Sequence, residues 1–180
     1  MSRRHRYMAA LLGAAAALGL GGQEARAAEL AYLQLTGGIQ GPILGDATVV
    51  QQANRIEAIE IHHLIRRDPG NGRMVHEPFI FTKRVDRSTV NLFRAMDTNE
   101  TLTAIFRYYR PDPSGTGQIL LYYVVTLTDA VIVAIEPIKG DVLDPVLGFM
   151  PDRERVRMMY GRIRIEFPPD GGESYDLVAQ

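Results

Sequence analysis

The sequence predicts a mainly β domain, a closed barrel or sandwich, with one short α-helix at its end or flank. Roughly seven or eight runs alternate apolar and polar residues, and turn clusters such as "DPGNG" (68–72) and "PDPSGTG" (111–117) separate them. Only residues 88–97 carry apolar side chains at the three- and four-residue spacing of a helix.

Residues 1–27 read as an export leader rather than as part of the fold. "MSRRHRY" is a basic start, "MAALLGAAAALGLGG" an apolar run, and Ala25-Arg26-Ala27 fits a small-x-small cleavage site. That run is too short and too rich in Ala and Gly for a transmembrane helix, so no stable membrane insertion is expected. Arg3-Arg4 suggests twin-arginine export, but Arg6 stands where that motif usually has an aromatic, which favours the general route.

Cleavage before Ala28 leaves a single domain, 28–180, long enough for a real core. The chain has 20 basic and 21 acidic residues, and the leader removes Arg3, Arg4, Arg6 and Arg26 against Glu24 alone. The remainder is net acidic, which argues against a nucleic-acid partner. With no cysteine there can be no disulfide, so stability must come from core burial, assembly, or both.

"AYLQLTG" (31–37) alternates as a strand with Leu33 and Leu35 on one face. Residues 38–54, "GIQGPILGDATVVQQAN", have little period and are long for a loop in a compact domain. Ile43, Leu44, Val49 and Val50 make this segment too apolar for a free tether, so it is expected to dock on something. "RIEAIEIHHLIRRD" (55–68) reads as one strand, with Ile59, Ile61, His63 and Ile65 towards the core and Glu60, His62, Leu64 and Arg66 away from it.

In residues 78–84 Phe79 and Phe81 alternate with Ile80 and Thr82, which suits a pleated surface. A charged joint, 83–87, leads to the helix. Ser88 is positioned to cap it, and Leu92, Phe93 and Met96 share its expected buried face. Residues 101–110 are a further strand. "QILLYYVVTLTDAVIVAIEPI" (118–138) is too long for one strand, and Asp129 is expected to mark a bend or second turn. A second loop covers 139–152. "ERVRMMYGRIRIEF" (154–167) reads as the last long strand, with Gly161 at a bulge or bend, and the tail from Pro168 reads as loose.

A search for catalytic groups finds none that convinces. His62 and His63 are adjacent on a strand and point to opposite faces, so they cannot easily share a metal. Ser88 beside Asp86 imitates part of a triad, but a serine opening a helix is far more often a cap. "GGIQGPILG" is glycine-rich, yet no helix follows to hold a phosphate. Arg107, Arg110, Arg162 and Arg164 with Tyr108, Tyr109 and Tyr160 imitate a nucleic-acid face, but interleaved acids make a solvated sheet face the better reading. "NET" (99–101) matches a glycosylation acceptor, a weak pattern. No enzymatic activity and no cofactor are expected.

The stretch "PFIFTKRVDRSTVNLFRAM" resembles the haemolysin-coregulated protein (Hcp) family, the tube protein of bacterial type VI secretion systems. The likeness rests on Phe81-Thr82-Lys83, then Asp86-Arg87-Ser88-Thr89, then Leu92 in the helix. The strand, polar turn, tyrosine-rich strand and aliphatic strand of 102–135 resemble the same family, as does the closing strand with Tyr160. The likeness spans roughly residues 30–168. It implies an antiparallel β-barrel with one helix, forming homo-hexameric rings that stack and carry secreted effectors, with the spike and sheath proteins as further partners.

By the same likeness His62 and Glu60 are lumen candidates for effector binding, and Ile43, Leu44, Val49 and Val50 are candidates for ring stacking. Two features depart from the family. Tube subunits typically lack an export leader, and their long loop is often strongly charged. A used leader implies the alternative of an exported Hcp-fold binding module, secreted or periplasmic and acting outside the cytoplasm without a tube. A tube subunit would instead assemble in the cytoplasm.

Overall fold

A computed structural model describes residues 29–169 and 172–179; the expected leader, 1–27, lies outside the described residues. The described residues form eleven strands and one α-helix: β1 (Leu30–Gly37), β2 (Gly41–Ile43), β3 (Ile56–His62), β4 (Ile65–Arg67), β5 (Met74–His76), β6 (Phe79–Arg84), α1 (Ser88–Asp97), β7 (Leu102–Pro111), β8 (Ile119–Ile138), β9 (Arg153–Met159), β10 (Arg162–Phe167) and β11 (Glu173–Val178).

Neighbouring strands pair antiparallel in the order β8–β7–β1–β3–β6–β9, and β9 pairs back on β8, so the sheet closes on itself as a barrel. Closure removes the edges of these six strands, and β11 remains as an edge of the extended sheet. Strands β10 and β11 extend the sheet from the first half of β8, β2 hooks onto β1, and β4–β5 form a separate hairpin across the 68–72 turn. Inside the barrel the Phe106 ring packs tilted on Phe79 and edge-to-face on Phe81, with ring centroids 4.6 and 5.4 Å apart, among Leu33, Leu35, Leu127, Val156 and Met158.

Five expectations change, each for a local physical reason. The 55–68 segment is not one strand, and its core face switches phase. A bulge between Ala58 and Glu60 inserts Ile59 as an extra residue, so Ile56 and Ala58 face inward before it and Ile61 after it. Ile59 is therefore exposed, not core, whereas Ile61 and Ile65 are partly buried against the core as expected.

Residues 119–138 form a single strand. Asp129 marks its bend with φ of 53°, and there β8 exchanges β7 and β10 for β9 as partners. The partner strand must break at the same level. Gly161 separates β9 from β10, and its N–H donates to the carbonyls of Thr128 and Asp129 at 3.1 and 3.2 Å. The tail is not loose: β11 pairs along the whole of β10, with Leu177 opposite Ile163.

The helix packs on β8 and touches β2, but through Ser88, Leu92 and Ala95, with Met96 partly buried. Phe93 is 39% exposed, so its expected burial is wrong. Small Ala95 lets the helix backbone approach the sheet closely, and that rotation turns Phe93 outward. Among the described residues no helix is long and apolar enough to cross a membrane.

Candidate functional site

Part of the charged joint between β6 and α1, Lys83 with Asp86, turns inward as an ion-pair network, while Arg84 and Arg87 stay exposed. Phe79, Phe81 and Lys83 alternate along β6 and all face inward, which buries a lysine completely. An unpaired ammonium there would be very costly. The register places Glu154 of β9 directly opposite, and Lys83 Nζ lies 2.7 Å from its carboxylate and 2.8 Å from that of Asp86. Thr89 Oγ1 donates to Glu154 at 2.9 Å and so ties the helix to the same pair.

Asp86, not Ser88, caps the helix. Its carboxylate accepts the Ser88 N–H at 2.9 Å and the Ser88 hydroxyl at 2.5 Å. In return Thr89 Oγ1 accepts the Asp86 N–H at 3.2 Å, the reciprocal arrangement of a capping box. Burial alone would raise the Asp86 carboxyl, but the bonds from Lys83 and Ser88 outweigh it and hold the carboxyl below its ordinary range. Ser88 is fully buried and engaged with Asp86, as a structural residue would be. Leu92 anchors the helix, and Phe81, Lys83, Asp86 and Ser88 of the family motif take part in the core or the joint, whereas Thr82, though buried, turns to the other face of β6 and bonds Glu60.

The 38–54 loop docks on this same joint. Arg87 donates to the Gly45 carbonyl at 2.8 and 2.5 Å and to Asn54 Oδ1 at 2.6 Å, and pairs with Asp46 at 2.9 Å. Gly45 lies so close to β3 that a Cβ there would sit 2.5 Å from the Arg55 carbonyl oxygen. At the far end of the helix, buried Glu100 accepts the N–H groups of Ile39 and Gln40 at 2.6 and 2.7 Å. These bonds from Gln40 and Ile39 overcome the effect of burial and lower the Glu100 pKa. Of the four stacking candidates, Ile43 is buried in the chain's own core and offers no external contact, whereas Leu44, Val49 and Val50 are exposed.

Glu60 and His62 project together from the outer side of β3 after the bulge. His62 Nε2 lies 2.9 Å from Glu60 Oε1, and Thr82 Oγ1 donates to Glu60 Oε2 at 3.2 Å; the bonds from His62 and Thr82 lower the Glu60 pKa. His63 points the other way and lies half-buried. Its Nε2 and the Nδ1 of His76 each lie 2.8 Å from the Tyr160 hydroxyl, so one phenol holds both ends of the β4–β5 hairpin. Burial, followed by the charge of His76, lowers the His63 pKa to about 4.

The arginine and tyrosine set expected on one solvated face is divided. Tyr160 belongs to the core, Arg110 covers the Tyr122 ring at 4.7 Å, and Arg164 pairs with Glu166 at 3.3 Å. Sequence reasoning missed Glu154 and Glu100, and it missed that Tyr160 holds His63 and His76. A signal existed for the first two, since a lysine in an inward register and a glutamate just after a helix both demand partners. Among the described residues no three His, Cys, Asp or Glu side chains gather as for a metal.

Fold and site define a closed-barrel scaffold whose buried lysine is held between two carboxylates and whose long loop is clamped to the helix joint. The family model described as "Type VI secretion system effector, Hcp" matches residues 32–167, and this chain belongs to the Hcp family. It is 29% identical over 149 residues to the "Major exported protein" of Pseudomonas aeruginosa, covering 74% of this chain and 86% of that one. Among solved structures it resembles Hcp1 from E. coli EAEC 042 with a TM-score of 0.71 at 26% identity, covering 84% of this chain and 98% of that one. The secreted protein Hcp3 of Pseudomonas aeruginosa, at 23% identity and a TM-score of 0.71, shares the fold over 85% of this chain and 99% of its own.

Proposed function

We propose that this chain is a non-enzymatic, ring-forming subunit of a type VI secretion system. Six copies close into a ring, and rings stack into a conduit that carries effectors, meets the spike and sheath proteins, and is itself secreted. The observation that carries this reading is the match to the family across 32–167, which takes in every strand of the closed barrel (all but the first two residues of β1) and the helix joint. The name of the Pseudomonas relative, an exported protein, supports release from the cell.

In this reading Glu60 and His62 line the lumen, and Leu44, Val49 and Val50 meet the next ring. Electron microscopy of the purified protein tests the reading: rings with a central hole are expected. Uniform monomers at tens of micromolar, about the range where weak rings populate, would overturn it.

A further inference from the structure

The β8–β9 loop presents more exposed apolar surface than any neighbouring segment requires. Leu143 is 88% and Phe149 90% exposed, with Val142 and Val146 at 67% and 71%. The loop is nevertheless held by its own hydrogen bonds. Asp144 accepts the N–H groups of Val146 and Leu147 at 2.7 and 3.0 Å, Asp141 accepts that of Leu143 at 2.9 Å, and the Gly148 N–H donates to the Asp144 carbonyl at 2.8 Å. Gly140 packs so tightly on Leu147 that a Cβ would sit 2.4 Å from its carbonyl oxygen. A loop held in this way pays little ordering entropy on contact, so its apolar residues form a preorganised knob.

The same chain carries a matching hole. A cavity of about 550 Å³ opens on the outer face of β1 and β7, beneath the 49–52 turn, and is lined by Leu30, Tyr32, Val49, Gln52, Tyr109 and Ile119. Gln52 is only 7% exposed, yet its Oε1 has no hydrogen-bond partner, a costly state for a buried acceptor unless a donor arrives. Phe149 does not fill this hole in its own chain, as its exposure shows.

The charges around the two surfaces are complementary. Asp141 and Asp144 flank the knob. Arg55 reaches the Tyr109 hydroxyl at 3.4 Å at the mouth of the hole, with Arg107 bonded to Gln34 beside it and Glu57 the acid on the same side of β3. Burial, and then the like charge of Arg55, lower the Arg107 pKa, while Tyr109 and Glu166 act in the opposite sense.

We infer that the 139–152 loop of one copy seats Phe149 in the Tyr32–Gln52–Tyr109 cavity of a second copy, with a loop N–H donating to Gln52 Oε1. The contact joins two different surfaces, so it runs head to tail, the arrangement from which rings and stacks are built. It rests on the self-association proposed above and assigns the residues that carry it.

Sedimentation of the purified protein and two variants tests the contact. Phe149→Asp removes the knob and Ile119→Arg blocks the hole, both at exposed positions where the melting curve should not move. Each variant alone should self-associate roughly 30-fold more weakly, the effect of losing a buried aromatic anchor. Mixed together, they retain one intact knob and one intact hole, so they should form a 1:1 dimer and nothing larger. Wild-type-like assembly of Phe149→Asp would overturn this contact and leave the ring reading standing. A mixture that stays monomeric would also overturn it, and a monomeric wild-type protein would overturn both readings.

Discussion

Lys83 is the residue on which the helix joint turns. It is fully buried between Glu154 and Asp86, so removing it leaves two carboxylates without their cation. Lys83→Met is expected to destabilise the fold by about 3–5 kcal/mol, measured by urea unfolding, because breaking one side of a buried pair strands the other. Adding Glu154→Gln should recover part of that loss; a double variant no better than the single one would show that the pair is not the source. His63 makes a separate, pH-dependent prediction. Its folded pKa of about 4 lies below the ordinary histidine range near 6.5. The unfolded chain therefore takes the proton first as pH falls. The His63 contribution is complete above pH 6.5 and is lost on descent to about 4. Melting temperatures across that window should fall for the wild type and fall less for His63→Gln; parallel curves would exclude this histidine as the cause.

At the scale of the element, α1 and β3 show how one local feature redirects a whole face. The helix spacing admits either Phe93 or Ala95 beside Leu92, and only packing against β8 chooses the smaller residue. Leu92→Ala should cost about 2–5 kcal/mol by removing a fully enclosed side chain. Phe93→Ala should cost less than about 1 kcal/mol, near the level of surface changes. Denaturation curves giving the reverse order would mean that the helix is rotated from the orientation described. In β3 the bulge at Ile59 spares Glu60 and His62 a place in the core and leaves them together on the outside. No sequence period announces such a bulge, because Ile59 extends the Ile61–Ile65 alternation without a break.

For the whole molecule, the question is which surface faces the conduit. His62 and Glu60 form an exposed, hydrogen-bonded pair on β3, and under the proposed function they face the lumen. His62→Arg should then leave ring formation and stability nearly unchanged, since the side chain is already 64% exposed. It should weaken retention of a co-expressed effector in pull-down, because cargo recognition depends on groups placed inside the pore. Full retention by intact rings would move the cargo surface elsewhere.

The sequence by itself determined the β-rich class, the strand at Phe79, the helix from Ser88 and the family motif. These rest on short-range periodicity and on residue types whose preferences are expressed within a few positions. Tertiary structure alone decided that Lys83 meets Glu154, that Asp86 replaces Ser88 as the cap, that β8 runs unbroken past Asp129, and that the tail returns as β11. For Lys83 and for β8 the partner lies elsewhere in the chain. Register across a closed sheet is set by the summed packing of all its strands, so no local window contains it.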